Sequence, residues 1–133
     1  MGINEPAEQV AFRDAVQRAL VDEGIKASVW QRFILPEMTV FAAKNAYGHG
    51  YPWSIPGADE GVDYSLDKFP NALKYSRKHI SIVQTLRHPN GLDIAEQVAN
   101  GIRKVFSSFD QIDVPRIQAI LAERKAKKAA AAK

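Results

Sequence analysis

The sequence contains no cysteine among its 133 residues, and this absence excludes several kinds of chemistry. Without thiols the chain has no disulfide framework, no thiolate metal site and no cysteine nucleophile. No apolar run approaches the roughly 18 residues that a membrane span needs. The first residues, MGINEPAEQ, contain no basic region followed by an apolar stretch, so they predict no secretory signal. We therefore expect a soluble, cytoplasmic protein without a membrane partner.

The short motifs that identify many enzymes are missing as well. Neither glycine-rich phosphate loop, G-x-G-x-x-G or G-x-x-x-x-G-K-[ST], occurs, and there is no G-x-S-x-G nucleophile elbow. The three histidines, His49, His79 and His88, lack the i, i+4 spacing of helical metal ligands. The residues alone therefore predict neither a metal site nor a catalytic residue.

The positive charge of the chain is confined to one end. The last eleven residues, ERKAKKAAAAK, carry a net charge of +4, whereas the whole chain carries +3, so the other 122 residues sum to −1. A nucleic-acid-binding face normally spreads positive charge over the fold, so we do not expect a nucleic-acid partner. We interpret the tail as a solvated helix end whose cations complement the helix dipole. Docking on nucleic acid or on another partner remains the alternative.

Hydrophobic periodicity predicts four helices and two strands. The helices cover residues 4–24, 69–78 and 93–109, and a last one opens at Asp113 and Pro115 and runs into the basic tail. The strands are Ala27–Leu35, which ends at Pro36, and Ile80–Leu86. This order predicts an α+β fold, with helices packed on a small sheet. We assign residues 1–112 to that domain and residues 113–133 to a C-terminal helix with a basic tail.

Residues 36–67, here called the aromatic loop, break the periodic pattern. The segment contains four of the eight glycines and five aromatic residues: Phe41, Tyr47, Tyr51, Trp53 and Tyr64. A stretch of about 30 irregular residues inside a compact domain is usually either functional or disordered. Because disordered segments have few aromatics, we predict an ordered loop that packs on another surface, including that of a partner.

Several short motifs then follow one another along the chain. They are a helix from Phe12 that leads to Glu23-Gly24-Ile25, the run Phe69-Pro70-Asn71-Ala72, a strand ending in Leu86-Arg87-His88-Pro89-Asn90, and a helix from Asp93 to Phe109. Their order resembles the C-terminal small domain of the DegT/DnrJ/EryC1/StrS family, pyridoxal phosphate (PLP)-dependent aminotransferases of sugars and cyclitols with the fold-type I architecture. The resemblance covers residues 8 to about 110.

The resemblance implies a function that this chain does not perform alone. In that family a large N-terminal domain carries the Schiff-base lysine, the aspartate that pairs with the pyridine nitrogen and most of the phosphate cradle, and none of these motifs occurs here. We therefore expect a chain that is inactive alone and acts as the small subunit of a split aminotransferase. A PLP-binding large subunit would hold the cofactor, and the substrate would be a keto sugar, a cyclitol or a related precursor. The alternative is a stand-alone, non-catalytic binding or regulatory module.

Two groups of residues are candidates for substrate or interface contact. In the first, arginines could bind a phosphate or carboxylate: Arg32 on the first predicted strand and Arg87, followed by His88, before a helix. The second group lies in the aromatic loop, where the run AKNxYGxGxPW resembles a feature of a family subgroup. It comprises Lys44, Asn45, Tyr47, His49, Tyr51 and Trp53. For each residue the alternative is a purely structural role in a turn, a salt bridge or a packed loop.

Overall fold

The computed structural model describes residues 5–82 and 86–131. Asn4, the predicted cap of the first helix, lies outside the described residues, as do Val83–Thr85 of the second predicted strand and Lys133 of the tail. The helices are α1 (Pro6–Asp22), α2 (Thr39–Ala42), α3 (Pro70–Lys78), α4 (Leu92–Ser107) and α5 (Val114–Ala131). Three short 3₁₀ turns lie at Leu35–Glu37, Leu66–Lys68 and Phe109–Gln111.

The α+β prediction is wrong, because the described residues form helices and no β-sheet. The two predicted strands meet at one antiparallel bridge, in which the backbone N–H groups of Ser28 and Ser81 donate to each other's carbonyls at 2.9 and 2.7 Å. After this bridge the chain bends at Trp30, Arg32 and Phe33 instead of continuing as a strand. A strand needs a neighbour along its length, and a single bridge does not supply one.

The chain divides into two compact units. The helical unit comprises Met1–Trp30 and His79–Lys133, and the loop unit comprises Gln31–Lys78. Both ends of the sequence thus belong to one unit. The loop unit contains the whole aromatic loop together with α3. Among the described helices, none combines the length and the apolar character needed to span a bilayer.

The core of the helical unit forms where α1 packs against α4 and α5. Val16 and Leu20 of α1 meet Val98 and Val105 of α4, and all four are at most 6% exposed. The segment after α1 adds Ile25 and Ala27 to this core. A ring of half-buried side chains surrounds it: Phe12, Ala19, Ile80, Ile82, Ile94, Ile102 and Ile112.

Helix α1 begins with a proline and ends before a glycine, as the sequence predicts. Pro6 occupies the first turn, where its missing N–H has no intrahelical partner to lose. Gly24 follows the helix with φ at +84°, a left-handed conformation that favours glycine over residues with a Cβ. The turn brings Ile25 back so that its N–H donates to the Leu20 carbonyl at 3.0 Å. Ile25 is thereby placed in the core.

Candidate functional site

Three aromatic side chains of the aromatic loop pack on one another inside the loop unit. The ring centroid of Phe41 lies 5.9 Å from that of Trp53 and 5.5 Å from that of Tyr64. Trp53 and Tyr64 lie 6.2 Å apart at nearly a right angle, and the Trp53 Nε1–H donates to the Tyr64 hydroxyl at 3.1 Å. Edge-to-face rings with a hydrogen bond hold one another in fixed orientations. The loop is therefore built around its own aromatic cluster.

Lys44 ties two distant parts of the aromatic loop together. Its Nζ lies 2.6 Å from an Asp59 carboxylate oxygen and donates to the Val62 carbonyl at 3.1 Å. The Lys44 backbone has φ at +47°, a left-handed conformation that is uncommon for a residue with a Cβ. Both side chains of the ion pair are more than a third exposed, so water weakens the attraction. Lys44 therefore holds the segment around Asp59 and Val62 against the start of the loop.

The residues after Lys44 form a tight turn that displays two tyrosines. The Asn45 side-chain oxygen accepts from the Gly50 N–H at 3.2 Å, and His49 has φ at +52°. The rings of Tyr47 and Tyr51 lie 5.9 Å apart, and Tyr47 is 82% exposed. Asn45 thus has a structural role in closing the turn. The tyrosine pair is an exposed aromatic surface at its tip.

An open groove of about 620 Å³ lies beside Lys44 in the loop unit. Its walls carry charged, hydroxyl and apolar groups: Pro36, Glu37, Ala42, Lys44, Asp63, Tyr64, Ser65 and Leu66. The Ser65 hydroxyl and backbone N–H both donate to Asp63, at 2.5 and 2.8 Å, and these bonds lower the pKa of the Asp63 carboxyl. Asp63 therefore stays ionised at the rim of the groove at neutral pH.

The two arginine candidates belong to different units. Arg32 is exposed near the start of the loop unit, at a bend where the sequence predicts a strand. Arg87 and His88 occupy an exposed turn of the helical unit. Gly91 precedes α4 as its cap, so neither residue belongs to the first turn of that helix. Six of the nine candidates therefore share the loop-unit turn or its cluster: Lys44, Asn45, Tyr47, His49, Tyr51 and Trp53.

The side chains that organise this site have partners that no local sequence pattern indicates. Asp59 binds the Lys44 ammonium from 15 positions along the chain, and Tyr64 accepts the Trp53 hydrogen bond from 11 positions away. In the sequence, Tyr64 contributes only to the aromatic density of the loop, and nothing singles out Asp59. No spacing rule links these pairs, because the loop has no period that would place residues on one face.

The groove and its lysine do not fit PLP. A Schiff base requires a lysine amine that is free to bond to the cofactor. The Lys44 ammonium is instead held by the Asp59 carboxylate and the Val62 carbonyl. The groove offers no glycine-rich phosphate cradle among its lining residues. Lys44 is thus a structural lysine of the aromatic loop.

Several large apolar side chains are exposed in both units. Phe106 stacks on Phe109 with centroids 5.6 Å apart, and Phe109 contacts Phe12 edge-on at 4.6 Å. Phe106 is nevertheless 53% exposed, so these phenylalanines form an apolar patch on the helical unit. The most exposed apolar side chains are Trp30, Leu92 and Tyr47, each above 80%. Such patches commonly mark interaction surfaces.

Among residues 5–82 and 86–131, no group of three or more histidine and acidic side chains is arranged to hold a metal ion. Comparisons of the chain with known protein families, with curated proteins and with solved structures find no match. The candidate site therefore rests on geometry: an aromatic loop with a half-buried aromatic cluster, the Lys44–Asp59 ion pair, a groove and an exposed tyrosine pair.

Proposed function

We propose that this chain is the small, accessory subunit of a split PLP-dependent aminotransferase. Its partner is a large subunit that carries the PLP lysine, and the substrate is a keto sugar, a cyclitol or a related precursor. The cofactor on the partner supplies the amino-transfer chemistry. This chain contributes a surface that completes the active-site cleft and contacts the substrate or the large subunit through the aromatic loop.

The observation that carries the proposal is the exposure of large apolar side chains around ordered loop structure. Single exposed apolar residues are common on protein surfaces, but contiguous aromatic pairs are not. Tyr47 with Tyr51 and Phe106 with Phe109 form such pairs. Obligate heteromers bury surfaces of this kind over areas that often exceed about 2,000 Å². The motif order described above supports the aminotransferase as the partner.

One observation favours a second candidate function, that of a non-catalytic binding or regulatory module. The resemblance implies helices on a sheet, and the described residues form helices without a sheet. The proposed aminotransferase link therefore rests on the motifs and the exposed surface, and not on the fold. A detached module would keep the exposed aromatic loop as a binding surface without any PLP enzyme as its partner.

The experiment is capture of partners by the tagged full chain from extract of its native cells. Mass spectrometry identifies the captured chains, and absorbance near the visible PLP band measures bound cofactor. A stoichiometric PLP-binding partner, together with amination of a keto sugar only when both chains are present, would support the split enzyme. Transamination by the purified chain alone, or the absence of any PLP-binding partner, would reject it. The second outcome favours the module.

A pair of variants locates the surface involved. Tyr47→Ala removes the most exposed ring of the tyrosine tip, and Tyr75→Ala removes an exposed ring from α3 in the same unit. We expect Tyr47→Ala to reduce recovery of the large subunit at least tenfold and Tyr75→Ala to leave it within twofold. Equal recovery in both variants would contradict the role of the aromatic loop as the interface.

A further inference from the structure

The second half of α5 is exposed, whereas its first half packs on α1. The Gln118 side chain donates to the Ala11 carbonyl at 3.1 Å, while Asp113 lines the same crevice as Asp22 and Glu23. Helix α5 therefore runs antiparallel to α1. Residues 122–131, here called the arm, are all exposed over about 15 Å of helix.

Four cations on the arm outnumber its one acid, Glu123. Arg124, Lys125, Lys127 and Lys128 form no hydrogen bond or ion pair with residues 5–82 or 86–131. Arg124 lies three and four positions from Lys127 and Lys128, so the like charges are neighbours on the helix surface and destabilise the helix. An anionic partner would relieve this repulsion.

The helix dipole accounts for only one of these cations. The favourable effect of positive charge falls off within the last turn of a helix. Lys128 is the only cation in the last turn of α5. Arg124, Lys125 and Lys127 lie farther from the end, where dipole compensation does not explain them. The solvated-end interpretation of the tail therefore leaves three of four charges without a role.

The arrangement of the cations suits a groove with anionic walls. At about 100° per residue, Arg124 and Lys128 lie at the centre of an arc about 160° wide, with Lys125 and Lys127 at its two edges. A helix in the major groove of duplex DNA has phosphates on both flanks. A flat surface would meet only the centre of such an arc. The opposite side of the arm holds Glu123 and four small residues: Ala122, Ala126, Ala129 and Ala130.

The composition of the arm favours duplex nucleic acid over a membrane surface or an acidic protein as its partner. Membrane-surface helices need tryptophan, phenylalanine or leucine opposite their cations, and the arm has only alanine and Glu123 there. Lysine and alanine are depleted in protein–protein interfaces, and three of the four cations are lysines. We propose that the arm binds the phosphates of duplex nucleic acid without sequence preference. This inference is independent of the proposed aminotransferase partnership.

The test is fluorescence anisotropy of the full chain with a fluorescein-labelled 20-base-pair DNA duplex over 50–200 mM NaCl. With four phosphate contacts, the slope of log Kd against log salt concentration is about 3.6. The dissociation constant then rises about 150-fold across this range. Replacing all four arm cations by alanine should abolish binding and keep α5 helical, because alanine is the strongest helix former. Circular dichroism checks the helix content.

A matched control separates the arm from overall charge. The control removes four exposed cations elsewhere in the chain: Lys26→Ala, Lys68→Ala, Lys74→Ala and Lys78→Ala. We expect the control to bind within about threefold of the unmodified chain. Equal affinity in the arm variant and the unmodified chain, or a slope near zero, would overturn the proposal. Tighter binding to poly-L-glutamate or to anionic vesicles than to the duplex would also overturn it.

Discussion

Gly101 and Ile25 make a contact that a double-mutant cycle can measure. Gly101 lies in the middle of α4, where a glycine weakens the helix by about 1 kcal/mol relative to alanine. A Cβ added at Gly101 would lie 2.9 Å from the Ile25 Cδ1 and 3.5 Å from its Cγ1. Ile25 is 5% exposed and belongs to the core. In the Gly101→Ala variant its Cδ1 can therefore move away only by rotating toward neighbouring core side chains.

The two effects of Gly101→Ala should nearly cancel. The helix gains about 1 kcal/mol, while an off-rotamer Ile25 loses about 0.5–1.5 kcal/mol. Ile25→Val removes the Cδ1 atom and alone costs about 0.5–1.5 kcal/mol. In that background the nearest remaining carbon of residue 25 lies at ordinary contact distance, so Gly101→Ala should then stabilise the chain by about 1 kcal/mol. The expected coupling energy between the two substitutions is about 1 kcal/mol, favouring the double variant.

Urea unfolding followed by circular dichroism at 222 nm measures all four free energies of the cycle. Two-state behaviour is checked by a coincident transition in tryptophan fluorescence. A matched control, Ala99→Gly in the same helix, should lose helix propensity without any coupling to Ile25→Val. Additivity of Gly101→Ala and Ile25→Val within 0.3 kcal/mol would refute the close approach of α4 to the segment after α1.

Three other predictions concern single contacts. Tyr64→Phe removes the acceptor of the Trp53 Nε1–H and should cost about 1 kcal/mol in urea unfolding, and no loss would show that the bond does not stabilise the fold. Ser65→Ala should raise the pKa of Asp63 toward its ordinary value in a carbon-13 NMR titration. Because the lowered pKa favours the folded state only while the carboxyl is ionised, that stabilisation is present at neutral pH and is lost on acidification; an unchanged pKa would contradict this cause. Leu20→Ala, at 3% exposure, should cost about 3 kcal/mol in the same unfolding assay, and a loss below 1 kcal/mol would place Leu20 outside the core.

The helices were the most predictable part of the fold. The apolar stripe of residues 93–109 predicts a helix, and α4 runs from Leu92 to Ser107. A helix makes its hydrogen bonds within its own segment, so its period is visible in the local sequence. The predicted start at Asp93 is one residue late, because Gly91 occupies the cap, and no side chain caps the helix.

The strand predictions were wrong because a strand, unlike a helix, makes its hydrogen bonds with another segment of the chain. The β-branched and aromatic residues of Ala27–Leu35 satisfy a strand pattern, but strand formation depends on a neighbouring strand that no local pattern can guarantee. The described residues provide one bridge, at Ser28 and Ser81, and the chain then bends. Trp30 is exposed, so the alternating side chains of this predicted strand do not form a buried face.

The aromatic cluster was predictable in location and not in its contacts. Aromatic density singled out residues 36–67, and the structure places an aromatic cluster there. Lys44 pairs with Asp59, which lies 15 positions along the chain, only because the loop folds back on itself. That pairing gives the lysine a structural role. Arg87 and Arg32 were both candidates for binding an anion, but they belong to separate units.

By itself, the sequence determined the four longer helices, the exclusion of thiol chemistry and the position of the basic tail. These properties depend on residue type and on spacing within a few turns. The sequence did not predict α2, which lies in the segment expected to be irregular. Only the tertiary structure decided that Met1–Trp30 and His79–Lys133 form one unit and Gln31–Lys78 another. It also decided that the tail cations lie on an exposed stretch of α5. Both outcomes depend on contacts between residues far apart in the chain, such as Gln118 with Ala11, which no local pattern encodes.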